Sequence, residues 1–425
     1  MVGVFNNGDG LLSYEQALGL IESAARPIKQ MQTVALDHCL KRVTATPLKA
    51  GFDLPRFNNS AVDGYGVIVD DLKACSAENA VILSLAGEVA AGGEAQGNDI
   101  AQGQCVRILT GAPVPDTVEA IVMKEYTQVM PDGKISLMAS ARIGENIRMQ
   151  GEEMETGSVV LQAGTRINPP IVGLIATLGL SHLDVVRQPK IAIISTGDEL
   201  KEPGEPIADH QIFNSNSWAL QAAFNGLGFT DVTRHHVPDD RQAVTDLFKD
   251  LLQDCDLIVS AGGVSVGEYD YVKDVCESLG VETVFWRTAI KPGKPVYFGR
   301  FASINNPHSL FFGLPGNPVS ALVTFDLFIK PALSIMSGAQ PRARSRTLKA
   351  RLARSLKKKA GRLDFVRAIG SRDDEDGLHA MPTSGQDSHM LTGLAKADLL
   401  IHFAREAEFA AEGDVVDVHG LDWFA

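Results

Sequence analysis

Residues 262–270 read GGVSVGEYD and join two chemistries that pull in opposite directions. Gly262, Gly263 and Gly267, with Ser265 between them, let backbone N–H groups approach an anion closely. Glu268 and Asp270 repel one. Gly262 and Gly267 have the spacing of a phosphate loop, but Glu268 stands where that loop carries lysine. Three further segments carry similar residues: Ser195-Thr196-Gly197-Asp198-Glu199, Lys291-Pro292-Gly293-Lys294-Pro295 and Gly313-Leu314-Pro315-Gly316-Asn317-Pro318. Lys291 and Lys294 suit a phosphate or another oxyanion. The carboxylates tolerate that anion only with a divalent cation between, which is how Mg²⁺ is ordinarily held, by one or two carboxylates plus substrate phosphates. Glu199 and Asp270 are therefore candidate ligands of a hard cation. Each segment taken alone reads equally well as a tight turn. Their joint chemistry depends on the fold bringing them to one edge.

The elements around them predict such an edge. From residue 185 to 335 short apolar runs (IAIIS, DLIVS, VETVFW, SLFFGLP) alternate with helical stretches such as NSNSWALQAAFNGLG and DRQAVTDLFKDLLQD. The second stretch places Val244, Leu247, Phe248, Leu251 and Leu252 at helical spacing. That alternation predicts a mostly parallel sheet covered by helices on both faces, with ligands at the carboxyl ends of its strands. The Gly-rich turns all follow strands. Upstream, Ser13 and Gln16 form a capping-box signature ahead of an amphipathic helix that ends near Pro27. Residues 50–155 are rich in glycine, turn pairs and β-like runs (YGVIV, AVILSLAG, CVRILTG, EAIVMKE) and read as an inserted β-rich domain. The flanks, 1–49 and 156–184, form an N-terminal helical and linker domain; 185–335 is the α/β domain; 339–425 is a C-terminal β-barrel-like domain that starts with a solvated basic run.

The insert carries a second polar cluster, PRFNNSAVDGYGV at 55–67, in which Asp63 is either an Asx-type turn residue or a carboxylate shown to a ligand. Thr110 in RILTGAPVP offers a hydroxyl on a similar loop. The formal charge of −13 argues against a nucleic-acid partner. The five cysteines form no C-x-x-C pair and the histidines no H-x-x-x-H or H-x-H pair, so a zinc site and a disulfide framework are not expected. No signal peptide is recognised, and IVGLIATLGL at 171–180, taken as the longest apolar stretch, is too short to cross a bilayer. A cytoplasmic protein without membrane contact is expected.

Taken in order, NNSAVDGYGV, RILTGAPVP, ISTGDEL, SAGGVSVGEYDYV, AIKPGKP and GLPGNPVSA resemble the molybdopterin molybdenumtransferase family of the MoeA type, similar to the C-terminal domain of gephyrin, over essentially the whole chain. The resemblance implies a fold of α/β plus β-rich domains in an elongated, multidomain protomer that forms a homodimer. It implies Mg²⁺-dependent conversion of adenylated molybdopterin and molybdate into molybdenum cofactor and AMP, with the molybdopterin adenylyltransferase as the preceding partner. In the family the active site lies between the α/β domain of one subunit and the β-rich insert of the other. Carried over by position, Asp63 and Thr110 come from the insert. Glu199, Asp239 or Asp240, Asp270, Lys291, Lys294, Pro315 and Pro318 come from the α/β domain, with Gly262, Gly263, Ser265, Gly267 and Gly316 lining the substrate. Glu199 and Asp270 are the implied Mg²⁺ ligands.

Three positions depart from the family pattern: Glu153 and Asn214 stand where Asp is common, and Arg287 where Lys is. Two other readings of the chain are the adenylyltransferase step itself and a gephyrin-like scaffold without catalysis. No residue visibly discriminates molybdate from tungstate.

Overall fold

The computed structural model describes residues 11–263, 271–304, 306–340, 347–373 and 377–421. The chain divides into two compact units, one of Pro47–Gln162 with Leu174–Gly179 and one of Met1–Thr46, Ala163–Gly173 and Leu180–Ala425.

In the first unit the β-like runs become a six-stranded sheet. Its order is Ala120–Met123, Gly64–Val67, Gln104–Ile108, Val81–Val89, Ile135–Leu137 and Thr127–Val129. Alternate side chains enter two small cores, Tyr65, Val67 and Val122 in one and Val106, Ile108 and Ile121 in the other. Gly64 pairs with both Ile108 and Met123. A Cβ there would lie 2.2 Å from the Val122 carbonyl oxygen, so only glycine fits between those strands.

The second unit opens with the predicted capped helix, Tyr14–Ala24, where the Ser13 hydroxyl accepts from the Gln16 N–H and the Gln16 side chain accepts from the Ser13 N–H. One six-stranded sheet runs in the order Val232–Val237, Ile191–Thr196, Leu257–Ala261, Ser309–Leu314, Tyr297–Phe301 and Glu282–Trp286. The first four strands are parallel; the last two join antiparallel. Leu257–Ala261 and Ser309–Leu314 are buried along their whole length, as strands covered on both faces must be. Ile191 and Ile193 point to one core with Leu220 and Phe224 of the helix Ser215–Gly226. Ala192 and Ile194 point to the other, with Val244, Phe248 and Leu252 of the helix Arg241–Asp254. The four-residue spacing of those three side chains lays the second helix along the sheet.

IVGLIATLGL is not the longest apolar stretch, which is instead the helix that opens at NPVSALVTF. The continuous helical run Pro318–Met336 is long and apolar enough to cross a membrane, with a mean hydropathy of 1.6, but 72% of its apolar window is buried inside the protein. It is a core helix: Val319, Phe325, Phe328, Ala332 and Leu333 pack into the same core as the sheet. It contains a π-helical turn, Phe325–Ile329.

The C-terminal strands close on themselves. Leu363–Asp373 pairs with Gly377–Pro382 along one part of its length and with Leu399–Phe403 along another; Leu348–Leu352 and Val415–Gly420 complete the ring. The result is a closed five-stranded barrel. The short strand Ile290–Lys291 extends Leu363–Asp373 in parallel, which stitches the loop carrying the two lysines to the barrel.

Candidate active site

The carboxyl ends of three parallel strands come together, with Ser195 beside Ala261 and Ala261 beside Leu314 in register. Just beyond them lies a cavity of about 530 Å³. Thr196 and Glu199 line it from the first strand end, Ala261, Gly262 and Gly263 from the second, and Pro315, Gly316, Asn317 and Pro318 from the third. The helix Ser215–Gly226 adds Asn214, Ser215 and Asn216 at its start, and Asp239 closes a side. This is the edge where ligands of doubly wound sheets bind.

Of the residues singled out in the sequence, Glu199, Gly262, Gly263, Asp239, Pro315, Gly316 and Pro318 thus meet around one cavity. Ser265, Gly267, Glu268 and Asp270 lie outside the described residues. Between the two aspartates left open, the structure separates the roles. Asp239 lines the cavity, whereas the Asp240 carboxylate caps the helix Arg241–Asp254 by accepting from the Ala243 N–H. Gly262 was expected to offer its N–H to an anion, but that N–H donates to the Leu314 carbonyl, 3.0 Å away. Gly197 keeps room for Glu199: a Cβ at that position would stand 2.3 Å from Glu199 Oε2.

The Pro315–Pro318 loop is held from two directions. Asn216 Nδ2 donates to the Gly316 carbonyl at 2.6 Å, and Asn317 Nδ2 donates to Ser388 Oγ at 3.0 Å. Asn317 stood in a segment noted in the sequence, but neither asparagine was given a role there, since a lone amide carries no spacing signal. Among the described residues, the cavity lining holds carboxylates, hydroxyls and amides but neither cysteine nor histidine. Such an oxygen-rich donor set suits Mg²⁺ rather than a softer metal. Among the described residues, no group of three or more His, Cys, Asp and Glu side chains could hold a metal by itself.

Lys291 and Lys294 are exposed and do not line the cavity. Lys291 Nζ stands 3.7 Å from Asp364 on the long barrel strand. Burial raises the Asp364 carboxyl above its usual range, an effect that Lys291 and Lys358 only partly offset. Further along this strand is Arg367, fully buried, whose Nη2 donates to the carbonyls of Gly385 and Asp387 while Nε and Nη1 have no partner among the described residues. A buried guanidinium with open donors is a ready contact for an anion or water. In the sequence it was one basic residue in the short segment FVRAIG, after the basic run.

In the other unit, Asp63 and Thr110 meet as expected. Asp63 Oδ1 accepts both the Thr110 N–H at 2.9 Å and the Thr110 hydroxyl at 2.7 Å, and Oδ2 faces Lys124 Nζ at 3.3 Å. These donors, the Thr110 N–H foremost, pull the carboxyl down to about 2. The Thr110 hydroxyl is thus already engaged in fixing Asp63. Lys124 was missed because its approach depends on register: Met123 pairs with Gly64, which sets the next residue beside Asp63.

Of the three departures from pattern, Asn214 is buried at the start of the helix Ser215–Gly226, and Arg287 stacks on the Trp286 ring, 4.0 Å from its centre. Glu153 donates its N–H to the Leu54 carbonyl.

Residues 12–179 match the MoeA N-terminal region (domain I and II), 192–334 a probable molybdopterin binding domain and 349–421 the MoeA C-terminal region (domain IV). The chain is 32% identical over 409 residues to the molybdopterin molybdenumtransferase of Haemophilus influenzae, covering 96% of this chain and 98% of that one. It is 35% identical over 415 residues to molybdopterin molybdenumtransferase 2 of Mycobacterium tuberculosis, with the same coverage of 96% and 98%. Its fold is similar to the crystal structure of the molybdopterin biosynthesis MoeA protein from Pyrococcus horikoshii, with a TM-score of 0.80 and 28% identity over 97% of this chain and 100% of that one.

Proposed function

The chain belongs to the MoeA family of molybdopterin molybdenumtransferases and is an enzyme of molybdenum cofactor biosynthesis; on that premise we propose that it converts adenylated molybdopterin and molybdate into molybdenum cofactor and AMP with the help of Mg²⁺. The observation that carries the mechanistic part is the cavity at the strand ends. It brings Glu199 and Asp239 together with the Pro315–Pro318 loop, in a space large enough for part of a nucleotide-linked pterin.

Glu199 and Asp270 hold the cation in this reading, and Asp239 orients what binds beside it. A Mg²⁺ ion held there would supply charge neutralisation at the phosphoanhydride. Lys291 and Lys294 attract the oxyanion, and the loop fixed by Asn216 and Asn317 shapes the pterin side through Pro315 and Pro318. Asp63, held ionised by Thr110 and Lys124, serves as a fixed acceptor rather than as an acid, because a carboxyl that titrates near 2 has no proton to give at neutral pH. The protein works as a cytoplasmic homodimer and receives its substrate from the molybdopterin adenylyltransferase.

The test is single-turnover release of AMP from adenylated molybdopterin with Mg²⁺, with and without molybdate. Molybdate-dependent release coupled to cofactor formation is the expected result. Consumption of ATP with free molybdopterin instead moves the chain to the preceding adenylation step, and neither activity leaves only a binding role.

A further inference from the structure

Beside the cavity lies a polar network of Asn214, Glu202, Trp218 and Arg234. Asn214 is 3% exposed. Its Oδ1 faces two donors, the Ser217 N–H at 3.4 Å and the Ser195 hydroxyl at 3.1 Å. The Ser217 N–H can only donate, so it fixes which side of the amide is oxygen. The nitrogen, Nδ2, then donates to Glu202 Oε1 at 3.0 Å. The second oxygen of Glu202 accepts from Trp218 Nε1 at 2.9 Å and from Arg234 Nη1 at 3.2 Å, and Arg234 lies over the Trp218 ring, 3.7 Å from its centre. The same segment carries Glu199. Leu200–Lys201 pairs with Ile212–Phe213, the Ile212 N–H donates to the Glu199 carbonyl and the Asn214 N–H to the Lys201 carbonyl, both at 2.8 Å. Glu202 therefore anchors the stretch that presents Glu199, and every donor it needs comes from a neighbouring element.

We propose that Asn214 is a positioning residue for the cavity: its amide nitrogen, through Glu202, fixes the segment that carries Glu199, and a carboxylate cannot replace it. The inference rests on the reading that this cavity is the catalytic site. The substitution Asn214→Asp keeps an oxygen facing Ser217 and Ser195 but sets a second oxygen against Glu202 Oε1. Two carboxylates so close do not both stay ionised, and the pair shares a proton. When that proton leaves, the pair repels and the segment shifts. The charged groups near the pair are Arg234 on the adjacent strand, Glu205, whose carboxylate accepts the Glu202 N–H, and Lys201 and Glu199 in the segment itself. Arg234 is the one cation among them shown in contact with Glu202, and it already serves the other oxygen.

The experiment compares the parent protein with Asn214→Asp, Glu202→Gln and the double variant across pH. One readout is Trp218 emission, in a background where Trp286 and Trp423 are phenylalanine. The other is the KM for adenylated molybdopterin against kcat for AMP release. Asn214→Asp is expected to show a pH step in Trp218 emission that the parent lacks. Above that step its KM rises about tenfold or more while kcat falls less. The double variant removes the step, because the glutamine nitrogen donates to the carboxylate introduced at position 214 while its oxygen serves Trp218 and Arg234. Superimposable profiles for Asn214→Asp and the parent overturn the proposal, as does a folded double variant that keeps the step. Absence of AMP release from every protein, parent included, refutes the assigned reaction, and Trp218 emission then judges the network by itself.

Discussion

Asp63 shows how a carboxylate becomes a fixed feature of a site. It is partly exposed, yet two donors from Thr110 and the ammonium of Lys124 hold its charge in place. Its carboxyl falls from an ordinary 3.8 to about 2, so the native state binds fewer protons than the unfolded chain between those values. Any stability Asp63 contributes is complete above about pH 4 and is lost as pH falls through about 2. It therefore gives the rate profile no acid limb near neutrality. Asp63→Asn keeps an oxygen for Thr110 but turns an amide toward Lys124 and removes the charge. Single-turnover AMP release is expected to drop about a hundredfold or more, with the melting temperature at neutral pH little changed. A large fall in melting temperature instead assigns Asp63 to the fold. The sequence showed Asp63 and Thr110 as polar residues on loops, because side-chain chemistry and turn signals are local. It did not show Lys124 or Arg367 as their equals, since each owes its place to strand pairing between distant segments.

The same contrast governs the elements. Alternating apolar runs announced the parallel sheet because its central strands are buried on both faces, and the helix Arg241–Asp254 was legible from Val244, Phe248 and Leu252. The C-terminal barrel was legible as a barrel-like domain, but not which strand closes it, since closure turns on Leu363–Asp373 being long enough to serve two neighbours. Nor was the contact that ties barrel to core helix. Asp326 in the π-turn meets His419 Nε2 at 3.1 Å, and His419 Nδ1 meets His402 Nε2 at 2.8 Å. Phe365 packs edge-on against both rings. Burial, and then His419, push His402 from 6.5 down to about 4, against the pull of Asp417 and Glu15. The unfolded chain thus binds the extra proton between those values, so stability rises with pH across the window and is lost on acidification. By about pH 4 the loss amounts to roughly 3 kcal/mol, taking 1.36 kcal/mol per pH unit. The melting temperature of the parent should fall over this range, and that of His402→Gln should fall less. Parallel curves for the two proteins would remove His402 from the account.

At the scale of the whole molecule, the candidate residues fall into two units of one chain, Asp63 with Thr110 in the smaller and Glu199 with Asp239 in the larger. The proposed homodimer makes a sharp prediction about how they cooperate. If Asp63 of one subunit serves the Glu199 cavity of its partner, a mixed dimer of Asp63→Asn and Glu199→Gln chains contains one site with both lesions and one site with neither. Each parent dimer, by contrast, has the same single lesion in both sites. Co-refolding or co-expressing the two inactive variants at equal amounts makes about half of the dimers mixed. Activity should then recover to about a quarter of the unmutated level, since half of the sites in half of the dimers are intact. If both residues act within one chain, every site in every dimer carries a lesion and no activity returns. The recovered fraction, read as AMP release against the composition of separately tagged and purified mixed dimers, decides between these arrangements without any assumption about the chemistry of the step.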